Sequence, residues 1–151
     1  MSIFSDRVGA GRELAVLLEA ERGTAAIVLG IPRGGMVVAA AVARVLDLPL
    51  ASVPPRTPPS LVGRTAVVVD DGVATGATAM AACRAVQARG AVRIVLAAPV
   101  APVDWHPDAS VVDEWVCPHR VREFWAVGTF YRDFTQTTDA EVNALLGDQW
   151  T

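Results

Sequence analysis

The chain contains no lysine, because all 13 of its basic residues are arginine. A mechanism that forms a Schiff base is therefore excluded, and a bound anion must be held by arginine, by backbone N–H groups or by a metal ion. The formal net charge is −3, and no cluster of basic residues marks a duplex-binding face. We expect no nucleic-acid partner.

Cysteine is also scarce, with Cys83 and Cys117 the two in the sequence. Cys83 lies among apolar residues of a predicted helix, which favours buried thiols in a reducing compartment. No run of 18 apolar residues occurs, and charges at Asp6 and Arg7 fall where a signal peptide needs an apolar core. We expect a soluble, cytoplasmic protein without a membrane partner.

Hydrophobic periodicity predicts strands that alternate with helices. The predicted helices cover residues 8–18, 36–46, 78–89 and 139–146, and the predicted strands cover residues 25–31, 50–53, 65–69, 92–98 and 110–116. The first helix is predicted to bury a face that includes Val8, Leu14 and Leu17. This alternation is typical of an α/β fold, here a doubly wound, mainly parallel sheet of about five strands.

The length of 151 residues favours a single domain, residues 1–151. Its core is predicted to cover about residues 1–117, and the aromatic, irregular stretch at about residues 118–151 is predicted to form a small C-terminal hood. Residues 54–64 carry four prolines in eleven positions, which predicts an extended surface connection rather than a strand or a helix.

Residues 67–78 read VVVDDGVATGAT. Asp70 and Asp71 close a predicted strand, so they are expected at an exposed sheet edge, with side chains pointing different ways. The small residues that follow open a helix, where unpaired N–H groups, the helix dipole and the hydroxyls of Thr75 and Thr78 suit a phosphate monoester. Carboxylates instead accept hydrogen bonds from sugar hydroxyls or approach a divalent cation. Together these features predict a site for a ribose 5-phosphate.

A second glycine-rich loop, PRGG at residues 32–35, also follows a predicted strand, so both loops are expected at one edge of the sheet. Simpler interpretations stay open at this point. Thr75 or Thr78 could merely cap a helix, and RGG could be a plain turn. A Gly-Lys pair and a GxGxxG fingerprint are both absent from these loops, which excludes Walker A and dinucleotide-binding motifs there.

The stretch VVVDDGVATGAT resembles the signature of the type I phosphoribosyltransferases, an apolar strand, two acidic residues and a loop ending in TGxT. The resemblance implies that Asp70 and Asp71 contact the ribose of phosphoribosyl pyrophosphate, directly or around Mg²⁺. It also implies a loop that holds the 5-phosphate, formed by Ala74, Thr75, Gly76, Ala77 and Thr78. Mg²⁺ is the implied cofactor, and phosphoribosyl pyrophosphate and a nucleobase or other nitrogen nucleophile are the implied substrates.

Arg33, Gly34 and Gly35 are similar to the family's pyrophosphate loop, which often carries a non-proline cis peptide. By this resemblance Arg33 pairs with pyrophosphate and is catalytic together with Asp70 and Asp71.

The resemblance extends to a bacterial subgroup that opens with a segment like FSDRVGAG and closes with one like FWAVGTFYRDFTQTTDAEV. It implies that Trp125 stacks on the base, and the alternative is that Trp125 is a core residue of the hood.

Two departures from the family leave the function open. Ala74 stands where 6-oxopurine enzymes usually place an acid, so the base is not identified. The connection that carries Arg56 is too short for the family's usual catalytic lid. The expected reaction is transfer of ribose 5-phosphate with release of pyrophosphate, and the alternative is a non-catalytic regulator that binds a phosphoribosyl compound or nucleotide. A homodimer is one assembly that the sequence allows.

Overall fold

The computed structural model describes residues 2–53, 60–124 and 126–147. Its helices are α1 (Arg7–Leu17), α2 (Gly34–Leu46), α3 (Ala77–Ala88) and α4 (Asp139–Leu146), with short 3₁₀ helices at Glu19–Glu21 and Val127–Phe130. Its strands are β1 (Ile27–Gly30), β2 (Leu50–Ser52), β3 (Thr65–Val69), β4 (Arg93–Ala97), β5 (Val100–Pro102), β6 (Glu114–Val116) and β7 (His119–Val121).

Five of the strands form one sheet in the order β2-β1-β3-β4-β6. All four neighbouring pairs in this sheet are parallel, which confirms the predicted α/β fold and the predicted strand number. The chain runs from β1 outward to β2, and then returns to the other side of β1 to form β3, β4 and β6. The direction of winding therefore reverses between β1 and β3.

Both faces of the sheet are covered by helices. Val67 and Val69 of β3 belong to one buried cluster with residues of α1, α2 and α4, whereas Ala66 and Val68 belong to a second cluster with residues of α3. Because consecutive side chains of a strand point to opposite faces, both sets must be apolar. This explains why the strands are continuous apolar runs in the sequence.

The buried face of α1 differs from the prediction. Leu14 is fully buried, but Val8 and Leu17 are 37% and 52% exposed. A close approach to α2 explains the rotation, since a Cβ atom on Gly11 would lie 2.6 Å from the carbonyl oxygen of Val38. The face that contains Gly11 and Leu14 is thus turned toward α2, and it also carries a charged residue, Arg7, which is only 9% exposed.

Two features of the C-terminal half were not predicted. Strands β5 and β7 form a separate two-stranded parallel sheet. Each has three residues, which is too short to show a hydrophobic periodicity in the sequence. Strand β6 is also shorter than the predicted strand at residues 110–116. Asp108 accepts hydrogen bonds from the backbone N–H and the hydroxyl of Ser110, and this local turn replaces the first part of the predicted strand.

The N-terminal residues pair with the aromatic segment near the C-terminus. The backbone N–H of Phe4 donates to Phe130 and the N–H of Arg132 donates to Phe4, at 2.9 and 2.8 Å. Phe4, Phe130 and Tyr131 form a third buried cluster together with Val100 of β5. The two segments that carry the resemblance to the bacterial subgroup are therefore in direct contact. Within the described ranges, no helix combines the length and the hydropathy that crossing a membrane requires.

Candidate functional site

The two glycine-rich loops meet at the carboxyl ends of β1 and β3, where the winding of the sheet reverses. The backbone N–H of Ile31, just after β1, donates to the carbonyl oxygen of Val69 at 2.9 Å. A Cβ atom on Gly35 would lie 2.9 Å from that same oxygen and 3.1 Å from Cα of Asp70. Open α/β sheets bind ligands at such a reversal point. The predicted convergence of PRGG and DDGVATGAT is confirmed by this geometry.

Asp71 is held by contacts from three parts of the chain. Nε of Arg7 lies 3.1 Å from its Oδ2, and the hydroxyl of Tyr131 donates to its backbone oxygen at 2.7 Å. Gly34 packs directly against the same Oδ2. The side chain of Asp71 is therefore only 14% exposed. The prediction of two exposed carboxylates is wrong, because these contacts cover Asp71 and Gly35 lies against Asp70.

Asp70 lies in a different environment from its neighbour. Its Oδ1 accepts a hydrogen bond from the backbone N–H of Asp71 at 2.9 Å. Two effects raise the pKa of Asp70 to about 8: its burial, which is the larger, and the negative charge of Asp71. The raised pKa favours a proton on the carboxylate pair in the free protein, and a cation placed between the two carboxylates would favour the ionised form.

The helices that open onto this site lack the side-chain caps found on the other two. Asp6 caps α1 by accepting from the N–H of Gly9, and Thr138 caps α4 in a capping box with Glu141. Neither Arg33 nor Gly76, the N-cap residues of α2 and α3, supplies a side-chain hydrogen bond to its helix. The simpler interpretation of TGAT was capping of α3 by Thr75 or Thr78, and Thr75 does contact the helix start, since its Oγ1 accepts from the N–H of Ala77 at 3.4 Å. The other N–H groups in the first turns of α2 and α3 remain available to an anion.

An open pocket of about 140 Å³ lies in front of α3. Asp70, Val127 and most of the predicted phosphate loop line it; the lining loop residues are Gly72, Val73, Ala74, Thr75, Gly76, Thr78 and Ala79. Ala77, which was predicted with this loop, is exposed but does not line the pocket. The structure therefore brings a carboxylate and a helix N-terminus to one cavity.

Trp105 is a residue of this loop region that no pattern in the sequence singles out. Gly76 has φ +86°, and a Cβ atom there would lie 2.1 Å from Nε1 of Trp105. The indole thus packs directly against the turn that opens α3, and its ring makes an edge contact with Trp115 at 5.1 Å. Only glycine satisfies both the backbone angle and the close approach.

Arg33 and Gly34 line a second pocket of about 330 Å³, together with Arg7, Phe134, Gln136 and Thr137. The peptide bond between Pro32 and Arg33 is cis, as the resemblance to the pyrophosphate loop implies. Nη1 of Arg33 lies 3.7 Å from a carboxylate oxygen of Asp139, and both side chains are largely exposed. Such an exposed pair is weak, so Arg33 remains free to bind an anion in this pocket.

Two of the predicted residues, Trp125 and Arg56, lie outside the described residues. Val127, two positions after Trp125, lines the pocket in front of α3 and touches Gly72, where a Cβ atom would lie 2.7 Å from it. The aromatic segment therefore reaches the site. Arg7 and Tyr131 were missed as site residues, and their presence in the two segments that resemble the bacterial subgroup was the available signal.

The two carboxylates can be tested as a magnesium site. The described residues contain no group of three or more His, Cys, Asp or Glu side chains arranged for a metal ion. Mg²⁺ is usually held by one or two carboxylates together with waters and substrate phosphates. Asp70 and Asp71 fit that mode, in which the substrate completes the coordination.

The chain is similar to proteins of known name. No family model matches it. Two proteins of Mycobacterium tuberculosis, from strains CDC 1551 / Oshkosh and ATCC 25618 / H37Rv, are each named "putative phosphoribosyl transferase" and are 37% identical over 209 aligned residues. The alignment covers 97% of this chain and 47% of each relative, so the chain spans about half of their length. The aligned stretch is longer than this chain, so the relatives carry additional residues within it.

Solved structures show the same fold. The crystal structure of TT1426 from Thermus thermophilus matches with a TM-score of 0.85 at 30% identity, over 100% of both chains. A purine phosphoribosyltransferase from Pyrococcus horikoshii matches with a TM-score of 0.60 at 26% identity, over 78% of this chain and 85% of that chain. The sequence relationship, the fold and the matched motif together establish that the chain belongs to the type I phosphoribosyltransferase family.

Proposed function

We propose that the protein binds phosphoribosyl pyrophosphate with Mg²⁺ and transfers its ribose 5-phosphate to a nitrogen nucleophile, with release of pyrophosphate. The observation that carries this proposal is the meeting of two helix N-termini, whose N-cap residues Arg33 and Gly76 make no side-chain cap, on either side of a carboxylate pair. Two anion sites separated by hydrogen-bond acceptors match a ligand with phosphate at one end, pyrophosphate at the other and ribose hydroxyls between them.

The 5-phosphate is assigned to the pocket in front of α3. The loop there is built from small residues, and Thr75 and Thr78 are both exposed, so their hydroxyls can donate to phosphate oxygens. The α3 dipole adds a favourable field for a dianion. Asp70 lines the same pocket, and its carboxyl oxygens suit ribose hydroxyls, which can donate hydrogen bonds to them, better than phosphate oxygens, which are acceptors.

The pyrophosphate is assigned to the second pocket. Gly34 and Gly35 open α2, where the N-cap residue makes no side-chain cap, so N–H groups of the first turn can donate to an anion. Arg33 supplies a guanidinium that can bind two phosphate oxygens at once. Asp70 and Asp71 would hold Mg²⁺ between this pocket and the ribose. When bound, the metal neutralises charge on the departing pyrophosphate.

The reaction breaks the bond between C1 of the ribose and the pyrophosphate oxygen and forms a bond from C1 to the nucleophilic nitrogen. The protein contributes mainly position and charge: Arg33 stabilises the negative charge that develops on the leaving group, and the carboxylates face a ribose that becomes oxocarbenium-like. The electron pair of the broken bond leaves with pyrophosphate, and the proton of the nitrogen passes to solvent water, which reaches the open pocket.

A nucleobase is the proposed acceptor. The name of the similar Pyrococcus horikoshii protein, a purine phosphoribosyltransferase, supports this choice. Val127 also lines the pocket in front of α3, and it offers an apolar surface to a flat base. Trp125 stays a proposed stacking residue. Ala74 carries no acid, so the identity of the base is not specified. A cytoplasmic location, which the two free thiols favour, is part of the same proposal.

The second candidate is a non-catalytic protein that binds phosphoribosyl pyrophosphate or a nucleotide as a regulator. The observation that favours it is the short connection between β2, which ends at Ser52, and β3, which begins at Thr65. A segment this short is an ordinary crossover and is small for a closing lid.

Calorimetry tests the binding proposal. We expect phosphoribosyl pyrophosphate to bind in the presence of Mg²⁺ and to bind weakly after its removal with chelator. The double substitution Asp70→Asn with Asp71→Asn should abolish most of the affinity, because a neutral amide holds Mg²⁺ more weakly than a carboxylate and offers one acceptor oxygen instead of two. Unchanged affinity in the double variant would overturn the proposal. A pyrophosphate-release assay against a panel of nucleobases separates the enzyme from the regulator.

A further inference from the structure

Arg7 is charged, nearly buried and in contact with three groups at the site. Its Nε contacts Oδ2 of Asp71 at 3.1 Å, and its Nη1 donates to the backbone oxygen of Thr135. Its guanidinium carbon lies 3.9 Å from the ring centroid of Phe134. One planar group thus joins the start of α1 to the carboxylate pair and to the segment that borders the second pocket.

Stability alone does not account for this arrangement. Burying an ion pair costs desolvation that the attraction between the charges often fails to recover, and an apolar residue at position 7 would pack against Phe134 without that cost. The contacts indicate instead that Arg7 sets the orientation of the Asp71 carboxylate. Arg7 occupies Oδ2 of Asp71, while Gly34 leaves no room on the same side, so the carboxylate has one orientation and its Oδ1 is not bound by Arg7.

We propose that Arg7 is a positioning residue, which fixes the Asp71 carboxylate so that its free oxygen faces the Mg²⁺ and ribose of the bound ligand. This inference rests on the proposed function. The guanidinium suits the role because its planar fork can donate to a carboxylate and a carbonyl at the same time while it stacks on a ring. A residue that orients a metal-binding carboxylate typically changes metal affinity or activity by about 10–100-fold when it is removed.

The test is calorimetric titration of phosphoribosyl pyrophosphate with Mg²⁺ into the wild type, Arg7→Met and Arg7→Lys. We expect Arg7→Met to weaken binding at least about tenfold. Arg7→Lys should recover part of the loss, because an ammonium keeps the charge beside Asp71 but cannot reach both acceptors. Arg7→Met should weaken the binding of ribose 5-phosphate, titrated without Mg²⁺, less than it weakens the binding of phosphoribosyl pyrophosphate. The reason is that ribose 5-phosphate binding depends mainly on the loop before α3.

The matched control is Arg93→Met. Arg93 begins β4 at the opposite end of the sheet, where its Nη1 lies 2.9 Å from the buried carboxylate of Glu21. This variant also breaks a partly buried ion pair, so its melting temperature should fall while its ligand affinity stays at the wild-type value. If Arg7→Met proves too unstable to titrate, the affinities of Arg7→Lys and Arg93→Met for phosphoribosyl pyrophosphate are compared at low temperature. We then expect Arg7→Lys to bind more weakly than Arg93→Met. An Arg7→Lys affinity equal to that of the wild type overturns the inference.

A double-mutant cycle separates positioning from general damage. In an Asp71→Asn background, replacement of Arg7 by Met should cause little further loss of affinity, because the residue that Arg7 orients is already altered. Equal losses in both backgrounds would overturn the inference. A wild-type protein that binds no phosphoribosyl pyrophosphate overturns the proposed function as well, whereas wild-type binding with an unaffected Arg7→Met variant overturns the role of Arg7 alone.

Discussion

Gly34 and Asp71 are in direct contact across the two loops, such that a Cβ atom on Gly34 would lie 2.1 Å from Oδ2 of Asp71. The same atom would lie 2.9 Å from Nε of Arg7, so a side chain at position 34 would collide with both members of the ion pair. The second glycine of RGG is equally constrained, against the backbone of Val69 and Asp70. The glycines of this loop are therefore required by the position of the carboxylates.

The first prediction concerns Gly34→Ala. The added methyl group should displace the Asp71 carboxylate, and displacement of a reacting group by about 1 Å can lower the rate of a reaction about 10²-fold. We expect weaker binding of phosphoribosyl pyrophosphate, measured by calorimetry, and a larger loss in transfer. Gly90→Ala is the control, because Gly90 has φ +94° and is close to Val62, far from the site. It should lower the melting temperature without changing affinity, and equal affinities for the two variants would contradict the prediction.

The second prediction uses Trp105 as a reporter of the phosphate loop. Because its Nε1 lies against Gly76, an anion bound at the start of α3 should change the electrostatic field at the indole. We expect ribose 5-phosphate to alter the tryptophan fluorescence of the wild type and to have much less effect on Trp105→Phe. Trp115→Phe, which removes the neighbouring ring, should keep most of the response. A full response in Trp105→Phe would show that the anion binds elsewhere.

The third prediction concerns the pH dependence of stability. The pKa of Asp70 is raised to about 8 from 3.8, so between these values the folded protein holds a proton that the unfolded chain has released. The contribution of this group to the free energy of unfolding therefore falls as the pH rises through that range. Asp70→Asn removes the effect, so without Mg²⁺ the melting temperature of the variant relative to the wild type should increase from about pH 5 to about pH 8.

Asp104→Asn is the control for this measurement, since Asp104 is exposed in the turn after β5. Its melting temperature relative to the wild type should stay constant over the same pH range. A constant difference for Asp70→Asn as well would show that the pKa of Asp70 is close to that of an exposed carboxyl.

The location of the site was predictable because it follows from the topology. Apolar runs that alternate with helices indicate a parallel sheet, and parallel strands place the ends of β1 and β3 at one edge. This is why PRGG and DDGVATGAT could be placed together from the sequence. The acidic pair and the glycines are close in sequence to the strand ends that position them.

The environment of the carboxylates was not predictable, because it is formed by residues far away in the sequence. Arg7 meets Asp71 across 64 residues of sequence, and Tyr131 does so across 60. No local pattern indicates which face of α1 turns toward the site, because the contact between Gly11 and α2 sets that rotation. The low exposure of the Asp71 side chain depends on these long-range contacts.

The last prediction concerns the proline-rich connection, most of which lies outside the described residues. A loop that closes over an active site excludes water and brings further donors to the charge that develops on the leaving group, and the loss of one such donor can cost roughly 10²–10³ in kcat. The sequence offers Arg56 as the one basic side chain between Pro54 and Leu61. We therefore expect phosphoribosyl pyrophosphate to bind measurably while transfer to any nucleobase is slow, with hydrolysis competing because water reaches the site.

Arg56→Ala separates these two effects. If Arg56 acts only as charge develops, the substitution should lower the remaining kcat and leave the calorimetric affinity nearly unchanged. Arg64→Ala is the matched control, because Arg64 lies at the other end of the same connection and its Nε donates to the carbonyl oxygen of Ala25 at 2.8 Å. That variant should lose stability and keep the wild-type kcat. Rapid transfer with a common nucleobase that Arg56→Ala leaves unaffected would show that the short connection does not limit catalysis, and it would rule out the regulator as the function of this protein.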